Sequence, residues 1–202
     1  MPYPGTCPDR FAQPPGSGLH RSVTNVLHDH DAGLVLRPFA GADVPRLLEV
    51  FQDPDIVAWN PGPPDVEQVT AWAEGRNDWS GGTHVSWAVG DAAGDLLGSV
   101  SLHHLDLDQR DAEVGYWVSP WARRRGVAVR AVRLALSYAF GELDLHRVYL
   151  YHSVENTASC RVAARAGFRH EGTLLQSFRY ADGRYHDEHL HARLAAEPAA
   201  AE

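Results

Sequence analysis

The amino-acid sequence predicts one α/β domain, built on a central mixed but mostly antiparallel sheet of about seven strands and flanked by about four helices. Three observations support this prediction. Strand-like runs alternate along the chain with segments of helical spacing, three consecutive runs in the middle indicate an antiparallel meander, and 44% of the 202 residues are hydrophobic. That apolar content is enough for one well-packed domain, and the chain is too short for two comfortable ones.

Each predicted element has a local reason. Strand-like runs bounded by turns predict five strands, at residues 35–39, 84–90, 96–103, 112–118 and 147–152. Two more strands follow residue 168 and are joined by a turn at residues 181–183. Apolar residues at helical spacing predict helices at residues 43–52, 65–73, 126–140 and 157–166. The helix at 126–140 is apolar nearly all round, so we expect it to be buried against the sheet.

Composition sets the expected domain boundaries and compartment. Residues 1–32 are a Pro/Gly-rich N-terminal extension, residues 33–195 form the domain, and residues 196–202 form a short C-terminal tail. Cys7 and Cys160 do not resemble a disulfide framework, and no segment resembles a signal peptide or a membrane span. We therefore expect a cytoplasmic protein with no membrane partner. The formal net charge of −8 argues against nonspecific nucleic-acid binding and suits a cationic partner.

One short segment predicts a site for a phosphorylated cofactor. Arg123-Arg124-Arg125-Gly126-Val127-Ala128 follows a predicted strand and opens the helix at 126–140. Unpaired N–H groups and the positive end of the helix dipole favour an anion at a helix N-terminus. Gly126 has no Cβ to hold a phosphate away, and three arginines at this position oppose the helix dipole unless an anion compensates them. We therefore predict that this turn binds a pyrophosphate.

Two blocks of sequence resemble a known superfamily. Arg123-x-x-Gly126-x-Ala128 resembles the pyrophosphate loop of the GNAT (Gcn5-related N-acetyltransferase) superfamily, which cradles acetyl-CoA. Asn156-x-x-Ser159 followed by Gly167-Phe168-x-x-Glu171-Gly172 is similar to the corresponding block of the ribosomal-protein N-acetyltransferase branch, called RimJ/RimL-like. The resemblance covers roughly residues 34–194. It implies the GNAT fold, acetyl-CoA as co-substrate, and transfer of an acetyl group to a primary amine by direct attack in a ternary complex.

The resemblance also implies roles for individual residues. The backbone N–H of Val118 would stabilise the oxyanion, Asn156 would hold or orient the pantetheine arm, and Ser159 would protonate the leaving thiolate. Many GNAT members place a tyrosine for that last role where this chain has Ala163, and the RimL-like enzymes have a glutamate base where this chain has Phe178. Asn156 and Ser159 also have ordinary interpretations, as a helix N-cap and as a small packing residue.

Glu113 is the first choice for the general base. It lies on the strand that leads to the cofactor turn, in an Ala-Glu-Val context similar to that of the catalytic glutamate in histone-acetylating members of the superfamily. A base must carry a carboxylate or imidazole within reach of the amine, directly or through water. Two alternatives remain open. A water chain could carry the proton in place of Glu113, and Glu113 could be an ordinary strand glutamate paired with a neighbouring arginine.

Two tryptophans are the candidates for binding the acceptor amine. Trp59 and Trp72 fall in the region that, by resemblance, holds the acceptor, where aromatic rings attract an amine by cation–π interaction. The acceptor is either a protein N-terminus or a small cationic amine, and a homodimer is left open. His186, His189 and His191 lie on a predicted strand, where His189 and His191 share one face. We expect no metal there, because no Cys or carboxylate arrangement completes the set and the chemistry needs no metal. The alternative function is a catalytically degenerate module that binds acyl-CoA and regulates or binds a partner.

Overall fold

The computed structural model describes residues 26–31 and 33–198. Eight strands form one sheet: β1 (Leu27–Asp29), β2 (Leu34–Arg37), β3 (Val85–Asp91), β4 (Leu96–Asp106), β5 (Asp111–Val118), β6 (Arg147–Ser153), β7 (Arg169–Arg179) and β8 (Tyr185–Leu194). Five helices accompany them: α1 (Val44–Val50), α2 (Pro54–Val57), α3 (Val66–Asn77), α4 (Val127–Gly141) and α5 (Thr157–Arg165). Among the helices of residues 26–31 and 33–198, none combines the length and the apolar composition that a membrane span requires.

The strand order confirms the predicted mixed, mostly antiparallel sheet. The order is β1-β2-β3-β4-β5-β6-β8-β7, and every neighbouring pair is antiparallel except β5 and β6. Parallel strands need a long crossover connection, and α4 provides it between these two. The final hairpin folds back so that β8, and not β7, pairs with β6. The additional strand and helix beyond the predicted counts are β1 and α2, which are only three and four residues long.

The sheet begins before residue 33, where the sequence pattern placed the start of the domain. Leu27 pairs with Leu36 of β2 and packs against the main core. A strand of three residues within a charged stretch carries too little alternation to be predicted from sequence. The rest of the predicted extension, residues 1–25 and residue 32, and the end of the predicted tail, residues 199–202, lie outside the described residues.

Two apolar layers cover the sheet. The larger core lies under α4 and α5 and includes Ala112 and Val114 of β5 and Val148 and Leu150 of β6. The smaller core lies on the other face under α1 and α3, where Trp117 of β5 packs. Side chains along β5 therefore alternate between the two faces of the sheet, and the α4 helix is buried against the sheet as its composition predicts.

The parallel pair in the middle of the sheet is short. β5 and β6 pair only at Asp111 with Arg147, Ala112 with Val148 and Glu113 with Tyr149. Both strands continue beyond these pairs, β5 to Val118 and β6 to Ser153, without further pairing to each other. The sheet is therefore open between β5 and β6 at the end of β5 that leads to the 123–128 turn.

Candidate active site

The 123–128 turn leads directly into α4, as its sequence predicts. Gly126 is the residue before α4 and adopts a left-handed conformation with φ of 75°, and Arg124 is also left-handed with φ of 63°. Arg124, Arg125 and Gly126 are exposed, whereas Val127 is buried and anchors the first turn of the helix in the core. The N-terminal N–H groups of the fifteen-residue helix α4 therefore face an open surface.

The three arginines of this turn differ in what they contact. Arg123 binds Asp53 at the start of α2 and, at 3.1 Å, Asp55 within it. Asp53 also accepts a hydrogen bond from the backbone N–H of Ile56, so the same carboxylate caps α2. Arg124 and Arg125 make no ion pair within the described part of the chain. The Arg123 side chain thus ties α2 to the turn, and Arg124 and Arg125 remain as the cations available to a phosphate.

The opening between β5 and β6 presents backbone donors. The N–H of Ser119 donates to the Leu97 carbonyl of β4, and the register pairs Val118 with Gly98. Hydrogen-bonded and non-hydrogen-bonded pairs alternate along an antiparallel ladder, so the Val118–Gly98 pair is of the non-hydrogen-bonded kind. The N–H of Val118 therefore points away from β4 and into the opening, which is the direction that an oxyanion donor requires.

The start of α5 contacts β5 beyond the last residue that pairs with β6. Asn156 is the N-cap of α5, and its Oδ1 accepts from the Ser159 N–H at 3.0 Å. The Ser159 hydroxyl lies 2.7 Å from the hydroxyl of Tyr116 on β5. Burial raises the pKa of Tyr116 to about 12, so its hydroxyl keeps its proton at neutral pH.

Tyr116 was not predicted from the sequence as a site residue. The resemblance to the superfamily points to the position of Ala163 for a tyrosine, whereas the structure places the hydroxyl of Tyr116, on a strand, next to Ser159. The signal available in the sequence was the alternation along β5. That alternation puts Tyr116 on the face opposite to Glu113, the face on which α4 and α5 pack.

Glu113 lies on the other face of β5 and contacts two histidines. Its Oε1 is 3.4 Å from Nε2 of His103, directly across on β4, and its Oε2 is 3.9 Å from Nε2 of His104. No arginine of the described chain lies within ion-pair distance of Glu113. Gly115 makes room for His103, because a Cβ at that position would lie 2.5 Å from the imidazole Cε1. The interpretation of Glu113 as the partner of an arginine is therefore wrong.

A pocket of about 250 Å³ opens on this face of the sheet. Trp59 and Trp72 both line it, together with Phe51, Trp117, His103 and Gly115. Phe51 packs edge to face against both Trp72 and Trp117, so the aromatic walls support one another. The pocket also contains Arg76, whose guanidinium carbon lies 5.3 Å from the ring centroid of Trp72.

A buried carboxylate stands near the pocket at the β7–β8 hairpin. Glu188 of β8 accepts hydrogen bonds from the hydroxyls of Tyr180 at 2.8 Å and Ser177 at 2.9 Å. The ring of Tyr180 packs edge to face against Trp59, at 5.3 Å between centroids, and burial raises the pKa of Tyr180. Phe178, at the position where the RimL-like enzymes have a glutamate, is half exposed and packs against Tyr180. Because its position in the hairpin was not predicted, Glu188 was not singled out in the sequence.

The 123–128 turn, the opening between β5 and β6, and the pocket thus all border β5. The turn follows the end of the strand, the opening lies along its β6 edge, and the pocket lies on its Glu113 face. This arrangement is the one expected of an α/β protein that would hold an anionic cofactor at a helix N-terminus and a second substrate in a pocket on the same sheet. Comparison with protein families agrees, because residues 33–169 match the acetyltransferase (GNAT) domain. The chain belongs to this family.

The chain is similar in sequence or in fold to several known proteins. The Bacillus subtilis (strain 168) protein named "Putative ribosomal N-acetyltransferase YdaF" is 40% identical over 94 residues, which cover 46% of this chain and 51% of that protein. The chain thus spans about half the length of this curated relative. The structure of Mycobacterium smegmatis RimJ in complex with CoA-disulfide has the same fold, with a TM-score of 0.75, 24% identity and coverage of 83% of this chain and 85% of that chain.

A second solved structure is the spermidine N-acetyltransferase of Vibrio cholerae in complex with CoA and spermine. It superimposes with a TM-score of 0.71 at 25% identity, covering 81% of this chain and 96% of that chain. The relatives therefore include proteins named for ribosomal and for polyamine acceptors. Their names alone do not distinguish the two kinds of acceptor for this chain.

Proposed function

We propose that the protein is an N-acetyltransferase that moves an acetyl group from acetyl-CoA to a primary amine in a ternary complex. The observation that carries the proposal is the position of β5 between two half-sites. On one flank the strand opens toward β6 and the 123–128 turn, and on the other it lines the aromatic pocket. A thioester held in the opening and an amine held in the pocket would meet across this one strand.

The cofactor half-site uses the chain's own amides and cations. The N–H groups at the start of α4 and the Arg124 and Arg125 side chains would hold the pyrophosphate, with Gly126 allowing close approach. Val127 and Ala128 set the first turn of the helix, and Arg123 fixes the turn to α2. Asn156 is occupied as a helix cap through Oδ1, which leaves its side-chain NH₂ to donate to the pantetheine arm.

The base lies on the pocket side. His103 lines the pocket and faces Glu113, so we assign Glu113 as the base that removes the ammonium proton through His103 or a water. The Ser101 hydroxyl oxygen lies 3.4 Å from Nδ1, the other ring nitrogen of His103. The neutral amine then attacks the thioester carbonyl carbon, and a C–N bond forms while the carbonyl oxygen becomes an oxyanion that the Val118 N–H stabilises.

The acid lies on the opposite flank. As the oxyanion returns to a carbonyl, the C–S bond breaks and the nitrogen, which became cationic on attack, releases its second proton to water. The CoA sulfur leaves as a thiolate and needs a proton. The family resemblance makes Ser159 the first candidate for the proton donor. The Tyr116 hydroxyl lies within hydrogen-bond distance of the Ser159 hydroxyl. A serine hydroxyl is a poor acid alone, and Tyr116 both orients it and supplies a second exchangeable proton. We propose that Ser159 and Tyr116 act as a unit.

The pocket favours a peptide N-terminus over a polyamine as acceptor. Among the described residues that line it there is no Asp or Glu, while Arg76 is present and makes no ion pair in the described chain. Burial lowers the pKa of Arg76, but an arginine stays charged. A guanidinium repels the second and third ammonium groups of a polyamine and binds the carbonyl oxygens of a peptide. Trp59 and Trp72 would enclose the single ammonium.

The test is release of free CoA thiol from acetyl-CoA over a panel of short peptides with free N-termini, spermidine and a simple monoamine. We expect turnover with peptides, and we expect Arg76→Gln to raise the peptide KM and to improve the use of spermidine. Faster turnover of spermidine than of every peptide by the native protein would contradict the choice of acceptor. Binding of acetyl-CoA by calorimetry without turnover of any amine would favour the degenerate acyl-CoA-binding module.

A further inference from the structure

Four metal-binding side chains converge on the α5 face of the sheet. The register places His152 of β6 opposite His189 of β8, and His191 lies two residues further along β8 on the same face. Cys160 reaches this cluster from α5. One ligand atom from each of these four residues lies within 4.8 Å of all the others. The sequence grouped only His186, His189 and His191, because neither the pairing of β8 with β6 nor the position of Cys160 follows from local spacing.

The orientation of His152 is set by a backbone carbonyl. Its Nδ1 lies 2.7 Å from the Ser153 carbonyl oxygen, which has only lone pairs, so Nδ1 must carry the hydrogen. The lone pair of a neutral His152 is then on Nε2, which points toward His191 at 3.1 Å between the two Nε2 atoms. A ring nitrogen that donates to a backbone carbonyl while the other faces inward is the arrangement typical of histidine ligands to metals.

The cluster contains more lone pairs than hydrogen-bond donors can satisfy. If His191 donates from Nε2 to His152, its Nδ1 carries a lone pair, and this atom is buried with no hydrogen-bond partner among the described residues. Nδ1 of His189 is likewise buried and unpartnered in the described chain. A buried polar atom without a partner typically costs about 1–3 kcal/mol. One cation at the centre would satisfy several of these atoms at once.

We propose that His152, His189, His191 and Cys160 form a binding site for a zinc-class divalent metal ion. Three imidazoles and one thiolate are a ligand set that Zn²⁺ prefers and that Mg²⁺ and Ca²⁺ avoid. Tetrahedral ligands at the usual Zn–N and Zn–S lengths stand about 3.3–3.8 Å apart, so the longest separation must close by roughly 1 Å. The proposed site therefore requires a movement of this size from side chains on α5 and β8.

The site would hold α5 against the sheet. Cys160 is the only one of the four ligands on α5, and it directly follows Ser159 in the first turns of the helix. His170 of β7 packs against His189, with ring centroids 4.7 Å apart, and covers the cluster from the outer strand. A bound ion would therefore fix the helix that carries Asn156 and Ser159, without taking part in acetyl transfer.

The experiment uses the full chain after removal of metals with a chelator. Zn²⁺ is titrated by calorimetry, and Co²⁺ is titrated as a spectroscopic probe of thiolate ligation. We expect one ion per chain and a sulfur-to-cobalt charge-transfer band that is absent in Cys160→Ser. His191→Asn should raise the Kd by at least about 10- to 100-fold, the range found when even supporting groups of a metal site are removed. The exposed His146 provides the control, because His146→Asn should leave binding unchanged.

Two results would overturn the proposal. One is the absence of stoichiometric Zn²⁺ binding by the native chain. The other is binding that is equally tight in native protein and Cys160→Ser, which would place the ion elsewhere, for example at His103, His104 and Glu113. If His191→Asn fails to fold, the Cys160→Ser variant still tests the proposal. Serine is close to cysteine in size, so we expect this variant to fold. The result does not depend on the acceptor or on acetyl transfer.

Discussion

The hydroxyl of Tyr116 on β5 lies 2.7 Å from the hydroxyl of Ser159 on α5. These residues are 43 positions apart in the chain. Their contact joins β5, which lines the aromatic pocket, to the start of α5. Two hydroxyls in contact form a proton-sharing pair whose members need not contribute independently.

Removing either hydroxyl should slow the reaction by a similar factor. We expect Tyr116→Phe and Ser159→Ala each to lower kcat, within the range of about 10²- to 10⁴-fold that is typical of acid catalysis, and the double variant to lose little more. Because the pKa of Tyr116 is raised to about 12, the loss in Tyr116→Phe should be constant across the neutral range. Tyr138→Phe is the control, since that hydroxyl is buried without a hydrogen-bond partner in the described chain. Additive losses in the double variant would show that the two residues act separately.

Glu113→Gln should lower kcat most at neutral pH. The amide cannot accept the ammonium proton, and the defect should shrink as pH rises and the amine deprotonates in solution. Steady-state rates as a function of pH measure this, with Glu49→Gln on the exposed surface of α1 as a matched control. Activity within a factor of about two of native across the neutral range, where a base contributes about 10²-fold or more, would remove Glu113 from the mechanism.

Gly126→Trp should abolish tight acetyl-CoA binding, because a bulky side chain there stands where the pyrophosphate approaches the N–H groups of α4. The left-handed φ of Gly126 also means that any side chain adds roughly 1–2 kcal/mol of backbone strain. Gly94→Trp controls for that strain, because Gly94 has φ of 90° and open space around it in a distant turn. Calorimetry should show a loss of affinity in Gly126→Trp alone. Equal affinity in both variants would mean that the cofactor turn is misassigned.

The metal-free protein should lose stability in mild acid. Burial, and then the neighbouring His152, His170 and His189, lower the pKa of His191 to about 4, whereas an unfolded chain binds this proton near the ordinary value of about 6.5. The unfolded state therefore binds more protons between these two pH values, and the free energy of unfolding should fall as the pH drops through this window. His191 alone accounts for about 2 kcal/mol by pH 5. Urea unfolding in the presence of a chelator measures the slope, which His191→Asn should reduce; an unchanged slope would mean that other groups cause it.

Removing β1 should destabilise the domain. We compare a chain lacking residues 1–25 with one lacking residues 1–31, so that the two differ in the segment that contains Leu27–Asp29. The shorter chain loses the Leu27 packing and three strand pairs, and burial of part of a leucine is worth about 1–2 kcal/mol. Its melting temperature should be lower by several degrees. Identical melting temperatures would show that the domain starts at residue 33 in energetic terms.

The features that sequence predicts here are local ones. The turn at Gly126, the capping role of Asn156 and the alternation along β5 depend on residues within a few positions of one another, so their spacing is enough. The contacts of Tyr116 with Ser159 and of Arg123 with Asp53 depend on how distant elements pack. The histidine cluster depends on β8 lying between β6 and β7, and no local pattern specifies which strand of the last hairpin faces inward.

The early separation of β5 from β6 leaves an unpaired strand edge inside the molecule. Such an edge, with free N–H and C=O groups in a row, is a template for another extended chain, and proteins normally cover it. Here the missing strand can be supplied by a small molecule that carries amides of its own, so that binding completes the sheet. The backbone amides of Tyr116 and Val118, which point away from β4 into the opening, should then exchange with heavy water freely in the empty protein and slowly when the opening is filled. The amides of Gly115 and Trp117, which donate to β4, should exchange slowly in both states.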